Sequence, residues 1–144
     1  MKEIKGNLWD YYGRPRTIIL ITTNNYVKSN GQAVMGRGCA LEAKKRFPGI
    51  AKKLGTRLKQ SKGIHQLEEG VWSFPVKHSW EQPADLTLIK ASAEQLGWIA
   101  KGCPSSTYIL PRPGCGNGRL LWMEVRPIIE PLLPDNVWVI DFAK

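Results

Sequence analysis

The stretch Pro111-Arg112-Pro113-Gly114-Cys115-Gly116-Asn117-Gly118-Arg119 constrains this chain more than any other. It follows a β-branched and aromatic run, Ser106-Thr107-Tyr108-Ile109-Leu110. It leads into a segment where Trp122, Val125, Ile129 and Leu132 repeat at helical spacing. A strand that turns so soon into a helix belongs in a layered α/β architecture. Glycines at alternate positions let backbone N–H groups approach an anion with no Cβ in the way, and a helix N-terminus adds a favourable dipole. Pro127 and Pro131 predict that this helix is short or kinked.

A second loop of the same kind, Val34-Met35-Gly36-Arg37-Gly38-Cys39-Ala40, also leads into a helical segment. Two such loops in one small chain point to a ligand with two phosphates, or with a phosphate and a ribose.

The rest of the chain fits the same plan. Thr17–Thr22 is a continuous apolar run, the pattern of a strand buried on both faces. Residues 23–35 read as a long polar loop. Helices are predicted over 38–47, stopped by Pro48, and over 49–59, and a strand over 70–77 with an irregularity at Pro75. Leu86, Ile89, Ala93, Leu96 and Ala100 mark one face of a further helix, with Asp85 near its start and Lys101-Gly102 at its end. Residues 136–142 close the chain as a strand. Trp98 and Trp122 are expected in the core. The order β-β-α-α-β-α-β-α-β, without internal repeats, predicts one domain over residues 1–144. Ligands in such folds sit beyond the C-terminal strand ends, where both glycine loops fall.

Composition narrows the function classes. No apolar run reaches the roughly 18 residues of a membrane span, so no membrane partner is expected. The start, Met1-Lys2-Glu3-Ile4-Lys5-Gly6, has no apolar stretch of signal-peptide type. Cys39, Cys103 and Cys115 are odd in number and form no C-x-x-C, which predicts free thiols in a reducing cytoplasm. With only His65 and His78 besides, no metal site and no cofactor are expected. A net charge of +9 makes nucleic acid a candidate partner, against the plainer reading of a solvated lysine-rich surface. A monomer is expected. A dinucleotide fingerprint fits poorly: Gly36-Arg37-Gly38 follows a long loop, Leu41 stands at the third glycine, and no acid lies near residue 56. No phosphate-binding G-x-x-x-x-G-K-[ST] motif occurs either.

The residues instead resemble the macrodomain family, which binds ADP-ribose, in four pieces in register. Gly6-Asn7-Leu8 is similar to its opening G-D-[IL]. Thr22-Thr23-Asn24-Asn25 is similar to its V-N-x-x-N turn, with Asn25 at the second asparagine. Met35–Ala40 resembles the G-x-G-[IV]-A loop beside the distal ribose, and Gly114–Gly118 the loop that wraps the diphosphate. The resemblance implies a three-layer α/β/α fold with a mixed central sheet. It also implies ADP-ribose contacts from Asn7, Leu8, Asn25, Met35, Gly36, Arg37, Gly38, Cys39, Ala40, Pro111, Gly114, Cys115, Gly116, Asn117, Gly118 and Arg119. Phe142 is placed to stack on adenine, or Asp141 to stand there if the register differs by one. Cys39 and Cys115 are expected to pack as small residues inside their loops.

Departures from the family pattern point to one branch of it. Asn7 replaces the adenine-reading aspartate and Thr22 the first asparagine. Together with Phe74-Pro75-Val76-Lys77-His78-Ser79-Trp80 they resemble the lysine-dependent ADP-ribosyl glycohydrolases, which include a bacterial antitoxin acting on DNA and a human enzyme acting on acidic side chains. There the lysine at Lys77 attacks the anomeric carbon. Gly118 stands where the human enzyme has an aspartate, so the leaving group would take its proton from water or His78. The resemblance thus implies binding of ADP-ribose, or of an ADP-ribosylated macromolecule, with hydrolysis of ADP-ribosyl linkages on DNA or protein. The alternatives are a non-catalytic ADP-ribose reader, an ADP-ribose 1″-phosphate phosphatase, and a basic module gripping nucleic-acid phosphate.

Overall fold

The computed structural model describes residues 1–142 and contains one six-stranded sheet. Its strands are β1 (Lys2–Gly6), β2 (Thr17–Asn24), β3 (Gln66–Glu68), β4 (Val71–Lys77), β5 (Thr107–Pro111) and β6 (Val137–Phe142). They lie in the order β1-β6-β5-β2-β4-β3, parallel throughout except for the antiparallel β3–β4 pair. The sheet is therefore mixed. Helices α1 (Gly38–Arg46), α2 (Ile50–Gln60), α3 (Leu86–Gly102) and α4 (Trp122–Ile129) cover its two faces.

The apolar run of β2 explains the layering. Ile19 and Ile21 point into a core shared with Ala43 of α1 and Ile50, Leu54 and Leu58 of α2. Leu20, between them, points into the opposite core with Ile89, Ala93 and Leu96 of α3 and Val125 and Ile129 of α4. Each of the larger aliphatic side chains among them contributes about 1.5–3 kcal/mol when removed from water. Both faces of the strand are satisfied, so helices must sit on both sides of the sheet.

Strand β3 was not expected from sequence. It is three residues long, with polar Gln66 and Glu68 on either side of buried Leu67, and only its pairing with Val71 and Trp72 makes it a strand. Trp98 is a correction to the expected core: it is 81% exposed. It lies two residues beyond buried Leu96, about 200° round the helix from the apolar stripe. Trp122 is half-buried, and its indole Nε1 donates to the Glu3 carboxylate at 3.1 Å. Helix α4 is short, as its prolines require, and tightens into a 3-10 turn over Glu130–Leu132.

The start of α3 is tied to the end of β4. The Asp85 side chain caps α3 by accepting from Thr87 N at 2.9 Å, and Asp85 N donates to Val76 O at 2.9 Å. Among the described residues no helix is long and apolar enough to cross a membrane.

Candidate functional site

The two glycine loops meet over the C-terminal edge of the sheet and enclose a cavity of about 520 Å³. It runs from Gly6, Asn7, Ile140 and Phe142, at β1 and β6, across β5 and β2 to Lys77 at the end of β4.

The first loop is held by Asn24. Its Nδ2 donates to Val34 O at 3.0 Å and its Oδ1 accepts from Tyr26 N at 3.0 Å, so one carboxamide pins both ends of the segment between them. Inside that segment Lys28 N donates to Gln32 O at 2.8 Å, and Val27 bridges Ala33. What reads as an open polar loop is a closed turn. Gly38 then starts α1 at φ +59°, a left-handed conformation suited to glycine. The first amides of a helix have no intrahelical acceptor, and Gly38, Cys39 and Ala40, which carry them in α1, lie in the cavity wall. The Cys39 Sγ accepts from Thr22 N at 3.4 Å, and burial pushes its thiol pKa up. Cys39 is a packing group here, and Cys115, likewise raised by burial, is another.

The second loop is built without a helix. Cys115 N donates to Arg112 O at 3.3 Å, Leu120 N to Gly114 O at 2.9 Å, and Arg119 N to Gly116 O at 2.9 Å, which closes a 3-10 turn over Gly116–Gly118. Helix α4 begins only at Trp122, and the Glu124 carboxylate accepts from Leu121 N at 3.2 Å across its first turn. The helix dipole expected at this loop is therefore absent from it. The donors here are turn amides alone.

Every sequence-predicted site residue except Asn25 and Arg119 lines the cavity. The register of β2 against β4 shifts between Thr23 and Asn24, so Asn24 lines the cavity in place of Asn25. Asn25 N instead donates to Lys77 O at 3.0 Å, and its Oδ1 is buried without a partner. Arg119 stands on the outer side of its loop at φ +66°, exposed. Phe142, 65% exposed, lines the cavity, whereas Asp141 turns away to pair with Arg112 at 3.6 Å. The Asn7 Oδ1 already accepts from Trp9 N at 3.0 Å, which leaves one lone pair for a ligand amine. Sequence reasoning missed Thr23, Asn24, Glu42, Trp80 and Arg112 in the wall. Asn24, Trp80 and Arg112 sat inside motifs already marked, whereas Glu42 carried no signal.

Lys77 ends β4 with its Nζ donating to Asn117 O at 3.1 Å. Partial desolvation lowers its pKa, and the nearby Arg119 and Arg37 guanidiniums lower it further, so more of the amine is neutral than in a solvated lysine. His78, next along the chain, is not in the cavity wall. Its Nε2 lies 2.7 Å from the Asp85 carboxylate. A Cβ at Gly118 would lie 3.0 Å from Ala84 Cβ, so the loop has little room for a side chain there. The wall thus combines amide donors for anions, apolar surface, and one partly neutral amine at its β4 end.

No family model matches the chain. A curated relative, the DNA ADP-ribosyl glycohydrolase of Thermus aquaticus, is 25% identical over 96% of this chain, which spans 40% of that relative's length. Among solved structures, the macrodomain of Thermus aquaticus DarG superposes with a TM-score of 0.74 at 24% identity, covering 99% of this chain and 97% of that one. The macrodomain of Mycobacterium tuberculosis DarG gives 0.71 at 25% identity, covering 100% and 99%. Thermosipho africanus DarTG in complex with ADP-ribose gives 0.73 at 17% identity, covering 99% of this chain and 42% of that one.

Proposed function

We propose that this chain, whose fold is similar to the macrodomains of the DarG proteins, binds ADP-ribose and hydrolyses the bond joining ADP-ribose to DNA. The observation that carries the reading is the placement of Lys77 in the wall of a cavity whose two glycine loops supply amide donors. The diphosphate lies between the loops. The adenosine half extends toward Asn7, Leu8 and Phe142, and the distal ribose toward Lys77.

Bond cleavage follows from that orientation. The neutral Lys77 amine attacks the anomeric carbon. The Nζ–carbon bond forms as the carbon–acceptor bond breaks with its electron pair moving to the acceptor, which takes up a proton from water. The attacking nitrogen loses a proton to solvent. Water then displaces the lysine and frees ADP-ribose.

Lys77→Ala tests the assignment. Release of ADP-ribose from modified DNA is abolished, while affinity for free ADP-ribose changes by less than about 1 kcal/mol, because the clamp is mostly backbone. Full activity in Lys77→Ala removes the nucleophile role. A second reading, an ADP-ribose reader without turnover, is favoured by the crowding at Gly118, which leaves no carboxylate beside the scissile bond. It wins if the intact protein binds ADP-ribose by calorimetry yet releases none from any modified DNA or protein.

A further inference from the structure

Asn117 is the point where the two loops and the end of β4 come together. The Lys77 Nζ donates to its backbone oxygen at 3.1 Å, and a Cβ on Gly38 would stand 3.0 Å from its side-chain Nδ2. Arg37 is the neighbour of Gly38, and Arg119 follows Asn117 by two residues. Two exposed guanidiniums therefore flank Lys77, one from each loop. Among the described residues neither has a carboxylate partner, whereas Arg112 pairs with Glu3 and Asp141, and Arg126 with Glu3 and Glu130.

The position of Arg119 separates it from the ADP-ribose clamp, whereas Arg37 lines the cavity wall. Arg119 lies outside the cavity wall yet close enough to act on the Lys77 charge. A group outside the wall on that side faces what is attached to the distal ribose, not the ribose or the diphosphate. Holding a non-glycine residue at φ +66° also costs roughly 1 kcal/mol, strain that tends to gather at functional positions. Trp80, three residues past Lys77, lines the same end of the cavity and is 55% exposed. Unpaired guanidiniums attract phosphate, and an exposed indole offers a face on which a base stacks. An acidic side chain of a modified protein has neither a phosphate nor a base to meet them.

We propose that Arg37, Arg119 and Trp80 form an acceptor subsite for single-stranded DNA, the arginines holding phosphodiesters beside the modified nucleotide and Trp80 stacking on a neighbouring base. This rests on the reading of the cavity as an ADP-ribosyl site and adds the part of the substrate it does not cover.

The test compares two ligands, a short single-stranded oligodeoxynucleotide carrying one ADP-ribosyl base and the matching ADP-ribosyl nucleoside without DNA phosphodiesters. Binding is measured by calorimetry on the full chain carrying Lys77→Ala, so that substrate is held without turnover. The oligonucleotide is expected to bind at least tenfold more tightly than the nucleoside, with the advantage shrinking as salt rises. Adding Arg119→Asn, which suits a left-handed backbone, removes most of that advantage while ADP-ribose affinity changes less than threefold, and adding Trp80→Ala lowers it further. Equal binding of the two ligands overturns the subsite. So does an equal loss of free ADP-ribose affinity in Arg119→Asn, which would place the arginine on the diphosphate. If free ADP-ribose itself does not bind, the cavity reading fails first, and the salt-dependent binding of unmodified oligonucleotide to wild type and Arg119→Asn then decides the subsite alone. Loss of that binding in Arg119→Asn supports it, and equal binding removes it.

Discussion

In the first glycine loop Gly38 turns directly into α1 at φ +59°, whereas in the second the chain leaves Gly118 and passes through Arg119, Leu120 and Leu121 before α4 begins at Trp122. The first therefore offers a helix N-terminus, with its orphan amides and dipole, and the second offers turn amides only. The glycines divide along a different line. At Gly114 a Cβ would meet Ile89 Cδ1 at 2.6 Å, Leu120 Cδ1 at 2.9 Å and Ala84 Cβ at 3.1 Å, so this glycine is required by packing. At Gly116 and Gly36 a Cβ would meet nothing within 4 Å of protein, so any requirement there comes from the backbone or from a ligand. Three glycines that look equivalent in the sequence answer to different forces.

Gly114→Ala should break the fold side of that contrast hardest. It places an L residue at φ +78° and overfills a packed site, for a loss of about 3 kcal/mol and a fall of roughly 10 °C in thermal midpoint. A thermal scan showing no change would mean the loop can shift away from α3. Gly116→Glu should spare most of the stability and strike the ligand side instead. Bulk and negative charge then enter the diphosphate region, and affinity for ADP-ribose falls at least tenfold, about 1.4 kcal/mol, in calorimetry. Normal binding in a folded Gly116→Glu protein would reduce the second loop to a turn.

A finer probe uses the charges that the loops bring to Lys77. Its pKa is depressed, so activity should climb as pH rises through that lowered value, below the range of a solvated lysine, and then level off. Arg119→Asn removes one of the depressing charges, so the rising limb of the pH–rate profile should move to higher pH, while an unmoved limb leaves desolvation and Arg37 as its causes. The smallest effect belongs to Gly36→Ala, at an open position with no left-handed requirement. Its folding stability should stay within about 0.5 kcal/mol of wild type by denaturant titration.

Much of this molecule is legible before folding. The run Thr17–Thr22 announces a doubly buried strand, and of the stripe Leu86, Ile89, Ala93, Leu96 and Ala100 all but the half-buried Leu86 are fully buried. Those signals are local, because burial on both faces or on one helical stripe requires apolar residues at fixed spacing. Trp98 was legible by the same rule and was misjudged by residue type alone, since an aromatic side chain off the stripe has nothing to pack against. Strand β3 and the choice of Asn24 over Asn25 were not legible. The first depends on a partner strand, and the second on a register shift between β2 and β4 that no local pattern carries.

By itself the sequence determined the layered α/β plan, both glycine loops, and a lysine at the end of the strand before α3. These follow from periodicity, glycine chemistry and strand termination, each a property of a few consecutive residues. Only the tertiary structure decided that α4 contributes no dipole to the second loop, that Phe142 and not Asp141 faces the cavity, and that His78 pairs with Asp85 outside the cavity wall. It alone brought Arg37, Lys77 and Arg119 together around Asn117. The reason is distance along the chain: those residues lie on three separate connections, and the strand order β5-β2-β4 makes them neighbours.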